Sequence, residues 1–124
     1  MSILKANVSK SIELRQRLKL WLEDNKSFEN TYQALSHDDE LSLKLFHEEV
    51  LIAHGFVTGC RRRYFERHCF FIDDAEVIDV TFDTAHKLSV REYTVVECYT
   101  LSEYLRLIEY NPQKPLLEMN LTLV

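Results

Sequence analysis

The sequence predicts an α+β domain in which N-terminal helices pack on a mostly antiparallel sheet. Three observations carry this reading. Apolar residues in the first part of the chain recur with a helical period, the period changes to two at Gly55, and helical patterns come before the strands instead of alternating with them as a parallel sheet requires. With 124 residues, 46% apolar and 28% charged, the chain fits a single domain over residues 1–124. A domain of that size buries roughly two thirds of its unfolded surface.

The elements follow in order. Leu14, Leu18, Trp21 and Leu22 stand at i, i+4, i+7 and i+8 behind Asn7 or Ser9, either of which serves as N-cap, and predict a helix near 9–24. Ser27 caps a short helical turn with Phe28, Tyr32 and Leu35 on one side. Ser36, with Asp39 three residues on, opens a further helix near 37–53, and Asp38, Asp39 and Glu40 complement the positive end of its dipole. Its apolar residues from Leu41 to Ile52 lie on more than one face, so it is expected to be the central buried helix. Beyond Gly55, aromatic and β-branched residues broken by Arg61-Arg62-Arg63 and Asp73-Asp74 predict strands near 55–60, 66–72 and 75–82. The run Tyr93-Thr94-Val95-Val96-Glu97-Cys98-Tyr99 predicts another near 92–99. Thr100-x-x-Glu103 then caps a short helix with Leu101, Tyr104, Leu105 and Ile108 on one face, ended by Pro112 and Pro115. The alternation from Leu117 to Leu123 reads as a last strand with one wet face.

Composition narrows the functions. Two glycines and two prolines leave no material for a phosphate-cradling loop or a dinucleotide fingerprint, so no nucleotide cofactor is expected. No apolar run approaches the ~18 residues that span a bilayer, and the start lacks a signal-peptide core, which predicts a cytoplasmic protein without a membrane partner. Cys60, Cys69 and Cys98 are an odd set and read as thiols, no C-x-x-C pair occurs, and His37, His47, His54 and His86 share no ligand spacing, so no metal site is expected. A net charge of -5 opposes general nucleic-acid binding. Against this acidic background, Arg61, Arg62 and Arg63 stand out. Their bland reading is a solvated hairpin tip, and their functional reading is contact with an anion or acidic protein partner, with Tyr64 beside them. Cations interleaved with Tyr64 and Phe65 also suit single-stranded nucleic acid, a reading the net charge disfavours.

The stretch that could carry chemistry runs from Arg67 to Thr81. If Asp73-Asp74 is a two-residue turn, Ile72 pairs with Ala75, Phe70 with Val77, and His68 lies directly opposite Asp79. Opposed residues share a sheet face with Cβ atoms ~5 Å apart, so a carboxylate there can hold the tautomer and orientation of a general-base histidine. The nucleophile is open. Cys69 follows His68 on the same strand and points to the other face, and Cys98 reads as a small buried hydrophobe. A hairpin centred on Tyr64 would bring Cys60 opposite His68 in a thiol–imidazole–carboxylate row; otherwise Cys60 is a spectator thiol. A structural histidine between aromatics is the competing reading of His68.

Gly55-Phe56-Val57, His68-x-Phe70, Val77-Ile78-Asp79-Val80-Thr81 and Tyr104-Leu105 resemble small papain-like and transglutaminase-like thiol enzymes over about residues 50–110. The resemblance implies a papain-like core with the histidine at the start of one strand and the aspartate of an Asp-x-Thr motif on the next, placing His68 and Asp79 in those roles. It also implies a cysteine at the start of the central helix. Here that region reads Asp38-Asp39-Glu40-Leu41-Ser42-Leu43, which offers Ser42 in place of a thiol. Two functions follow. One is a non-catalytic protein-binding module on this scaffold, of the kind phages and mobile elements use against host machinery. The other is a thiol-dependent acyl-transfer enzyme, a peptidase, amidase or transglutaminase-like protein, using His68 and Asp79.

Overall fold

A computed structural model describes residues 3–58 and 65–110. It holds strand β1 (Ile3–Leu4), helices α1 (Val8–Leu18), α2 (Ser27–His37) and α3 (Asp39–Phe46), strands β2 (Val50–Thr58), β3 (Phe65–Asp73) and β4 (Glu76–Ile78), helix α4 (Ala85–Ser89), strand β5 (Tyr93–Tyr99) and helix α5 (Leu101–Tyr110). The strands form one five-stranded antiparallel sheet in the order β1-β5-β2-β3-β4, so the α+β class holds. No helix among the described residues is long and apolar enough to cross a membrane. Cys60, Arg61, Arg62, Arg63 and Tyr64, the two prolines and the strand expected at 117–123 lie outside the described residues.

The helical third departs from its pattern in instructive ways. Asn7 caps α1, its side chain accepting the Lys10 N–H at 3.0 Å. The expected helix to residue 24 ends at Leu18 and passes into a single 3₁₀ turn, Lys19–Trp21. Buried Asn30 explains the stop: its amide accepts the Glu23 N–H at 2.9 Å and donates to the Glu23 carbonyl at 2.7 Å, holding that backbone out of a helix. Trp21 stays half exposed, its ring stacked on His37 at 3.8 Å. The short turn expected after Ser27 is a full three-turn helix burying Phe28, Thr31, Ala34 and Leu35, and it is this helix that packs on β3.

The helix expected at 37–53 is corrected to Asp39–Phe46. Asp38, not Ser36, caps it, accepting the Leu41 N–H at 3.0 Å while Arg17 holds the same carboxylate at 2.8 and 3.1 Å. Only Leu41 and Leu45 are buried, so it is an amphipathic cover and not the central helix. Glu48, with φ 58, turns the chain out of it. Val50, Leu51 and Ile52 then enter β2, the middle strand, whose apolar run reflects a sheet covered on both faces.

Two apolar clusters flank the sheet. Residues of β2 and β3 that face the helices, Val50, Ile52, Cys69 and Phe71, join Leu14, Phe28, Leu45 and Tyr104. Alternation sends Ala53, Val57, Phe70, Val77 and Tyr93 into a smaller cluster on the opposite face. Gly55 marks a break in the β2–β5 register, and a Cβ there would lie 1.9 Å from the Thr94 carbonyl oxygen. The strand expected at 75–82 is only Glu76–Ile78, because α1 takes over its backbone: the Ser11 hydroxyl accepts the Asp79 N–H at 3.0 Å and Arg15 donates to the carbonyls of Val80 and Thr81. The capping box at Thr100 forms as its spacing implies, with Thr100 N–H to Glu103 at 2.9 Å and Glu103 N–H to Thr100 at 3.3 Å. Strand β1 and helix α4, capped by Thr84, had no signal in the periodicity.

Candidate functional site

The turn after β3 is Asp74-Ala75, both at positive φ (50 and 67), as a primed two-residue hairpin turn requires. Asp73 therefore pairs with Glu76, Ile72 with Val77 and Phe71 with Ile78. Relative to the expected register each partner moves by two residues, and since the side-chain period is also two, His68 and Asp79 keep the same face. They meet diagonally instead of directly opposed, with His68 Nε2 2.8 Å from Asp79 Oδ2.

Asp79 is the hub of a buried network. Its Oδ2 also accepts the Tyr93 hydroxyl at 2.7 Å, and Oδ1 accepts the Thr81 N–H at 3.0 Å. Burial works to raise its pKa, but the His68 ring, the Tyr93 hydroxyl and the Thr81 N–H together hold the carboxyl below the usual range. An ionised Asp79 can only accept, so the proton in the pair sits on His68 Nε2. Burial, followed by the Asp79 charge, pushes the Tyr93 hydroxyl well above its ordinary value. The His68 ring is stacked on Phe82 at 5.3 Å, and the Arg91 guanidinium lies over the Phe82 ring at 4.2 Å. A small hollow of about 50 Å³ opens beside His68 between Asn25, Ser27, Arg67 and Thr81. It has room for a water or two.

The candidate nucleophiles separate. Gly55, not Cys60, stands across β2 from His68, because the nine-pair β2–β3 ladder runs from Val50↔Asp73 to Thr58↔Phe65, which moves the residue opposite His68 five positions back from 60 to 55. The register that would give Cys60 a place opposite His68 is thus corrected. Cys69 faces the helices, across from His54, and burial pushes its thiol up to about 12. Cys98, expected to be buried, is exposed, since β1 flanks β5 only as far as Thr94. Ser42 is spent on the α2 backbone, donating to the Leu35 carbonyl.

Ser27 was missed. It opens α2, lines the hollow beside His68, and accepts the Cys69 N–H at 3.1 Å. Its signal was present in Phe28, Thr31, Ala34 and Leu35, which recur at helical spacing and would have lengthened the expected turn into the helix that Ser27 starts. Tyr93 carried no local signal; only the β5–β2–β3 order brings it to Asp79. Among the described residues no hydroxyl or thiol hydrogen-bonds the His68 ring, and no group of three or more His, Cys, Asp or Glu side chains is placed to hold a metal. Comparison with known proteins returned no match to a family model, a curated protein or a solved structure.

Proposed function

We propose that this chain is a non-catalytic protein-binding module on a papain-like or transglutaminase-like scaffold. One observation carries the reading: among the described residues the His68 ring is hydrogen-bonded by Asp79 alone, while the residue that opens the sheet-packed helix is a serine whose oxygen accepts the Cys69 N–H. In the family that the His and Asp-x-Thr strands resemble, that helix start carries the nucleophilic cysteine. A hydroxyl is a far weaker nucleophile than a thiol unless a base takes its proton directly, and no such hydrogen bond is made. The buried His68–Asp79–Tyr93 network then ties β3, the segment after β4 and β5 together, and the surface is left for recognition. A role as an inhibitor of host machinery encoded by a phage or mobile element fits this small, acidic form.

A second reading is favoured by Ser27 itself. It stands at a helix N-terminus, where backbone N–H groups can carry an oxyanion, and lines the same hollow as His68. In this reading the His68 ring would turn to take the Ser27 proton, and Ser27 would attack an ester or amide carbonyl in place of a thiol. Labelling with a fluorophosphonate and an activated ester separates the two. No Ser27 adduct and no turnover above buffer supports the binding module; an adduct that disappears in both Ser27→Ala and His68→Ala replaces it with a serine-dependent acyl-transfer enzyme. Ser27→Cys then reports on the scaffold. A thiol there should react with iodoacetamide faster than an ordinary cysteine, in a His68-dependent way, if helix and imidazole are placed as the resemblance implies.

A further inference from the structure

We propose that the groove between α3 and α5 is where the module takes its partner, and that the partner is an amphipathic helix with a basic residue beside its apolar stripe. The inference rests on the binding-module reading above and adds to it the surface and the partner's chemistry. The groove encloses about 410 Å³ between Leu45, Phe46 and Glu48 on one side and Thr100, Leu101 and Leu105 on the other. Its lips are apolar and wet: Phe46 is 71% exposed and Leu105 44%. Large exposed side chains gathered on two neighbouring helices, with a hollow between them, are the receiving half of helix-in-groove recognition.

The charge at the mouth selects the partner. Phe46 ends α3, where helix carbonyls carry partial negative charge, and the exposed His47 is followed by Glu48 and Glu49. Both glutamates are exposed, and neither makes an ion pair among the described residues. The nearby Lys44 is turned back along its helix toward Glu40, at 3.9 Å. Glu48 is held in place by its left-handed backbone and by its N–H bond to the Leu45 carbonyl at 3.1 Å. A cation on the partner meets this end with complementary charge. A second copy of the chain does not, because a two-fold contact through the same patch sets glutamates against glutamates. An acidic mouth likewise repels nucleic acid.

The test uses the full-length, ¹⁵N-labelled chain and two synthetic amphipathic helices with the same Leu/Phe stripe, one with a lysine polar face and one with a glutamate polar face. Expected is that the lysine peptide shifts the amides of Leu45–Glu48 and Thr100–Leu105, binds about ten-fold more tightly than the glutamate peptide, and weakens as salt rises. Phe46→Ala and Glu48→Lys, both at exposed positions, should each lower its affinity about ten-fold without changing the rest of the spectrum. Shifts elsewhere, equal binding of the two peptides, or concentration-dependent self-association through this face would overturn the proposal. Failure here leaves the fluorophosphonate result untouched, so a wrong groove and a wrong functional reading are told apart.

Discussion

Two buried residues, His54 and Asp79, contribute to the acid response of this protein in different windows of pH. His54 is completely buried on β2, edge-on to Phe28, Tyr99 and Tyr104, with neither ring nitrogen hydrogen-bonded. Burial, against a small opposing pull from Glu97, holds its pKa at about 4 instead of 6.5. The unfolded chain therefore takes up this proton first, so stability is flat above pH 6.5 and falls as pH drops toward 4, by about 3 kcal/mol in all. Urea midpoints at pH 7 and pH 5 should show this loss, and His54→Phe should remove most of the slope. Asp79 acts lower, because its depressed pKa contributes stability that is present above the ordinary carboxylate range and is lost as pH falls through the folded value. Tyr93→Phe deletes one of its three donors and should cost roughly 1.5–3 kcal/mol at neutral pH, the range for a hydrogen bond to a charge, with an unchanged circular dichroism spectrum. A loss below half a kcal/mol would mean that the hydroxyl contributes little to the network. His68 and Asp79 were legible from spacing because faces alternate with period two; Tyr93 was not, because nothing local ties β5 to that face.

At the scale of elements, the β2–β5 pairing and the β3–β4 turn make opposite predictions for glycine. Gly55→Ala would drive a Cβ to 1.9 Å from the Thr94 carbonyl, which only a parting of β2 and β5 relieves, and should cost about 3 kcal/mol as an overpacked sheet does. Ala75 is the reverse case, a residue with a Cβ held at φ 67. Ala75→Gly should stabilise the hairpin by up to about 1 kcal/mol, read as a rise in the denaturation midpoint, and a fall would show that the turn does not strain alanine. Thr100 as a cap, and Asn7 as one of two candidates with Ser9, were readable in advance because a cap involves three or four consecutive residues. The boundary at Phe46 was not. An apolar run such as Val50-Leu51-Ile52 continues a buried helix or begins a central strand equally well, and the choice is made by which neighbours cover it.

Over the whole molecule, the sheet sorts the thiols. Cys98 sits at the exposed margin of β5 and Cys69 lies in the helix-side core, so native chain treated with iodoacetamide should be alkylated at Cys98, with Cys69 protected until global unfolding. Peptide-level mass spectrometry reads the two apart, and early alkylation of Cys69 would mean that α2 opens from the sheet on its own. The sequence by itself determined the α+β class, the α5 cap, and the shared face of His68 and Asp79, and narrowed the α1 cap to Asn7 or Ser9, because each depends on residues close in the chain or on a two-residue period that survives an even slip of register. Only the tertiary structure decided that α2 is the helix laid on β3, that Gly55 and not Cys60 faces His68, and that Ser27 and Tyr93 gather around the His68–Asp79 pair. Those placements rest on contacts between segments far apart in the chain, such as Ser27 with Cys69 at a separation of 42 residues, whose energies come from mutual burial and pairing and leave no mark on the local pattern.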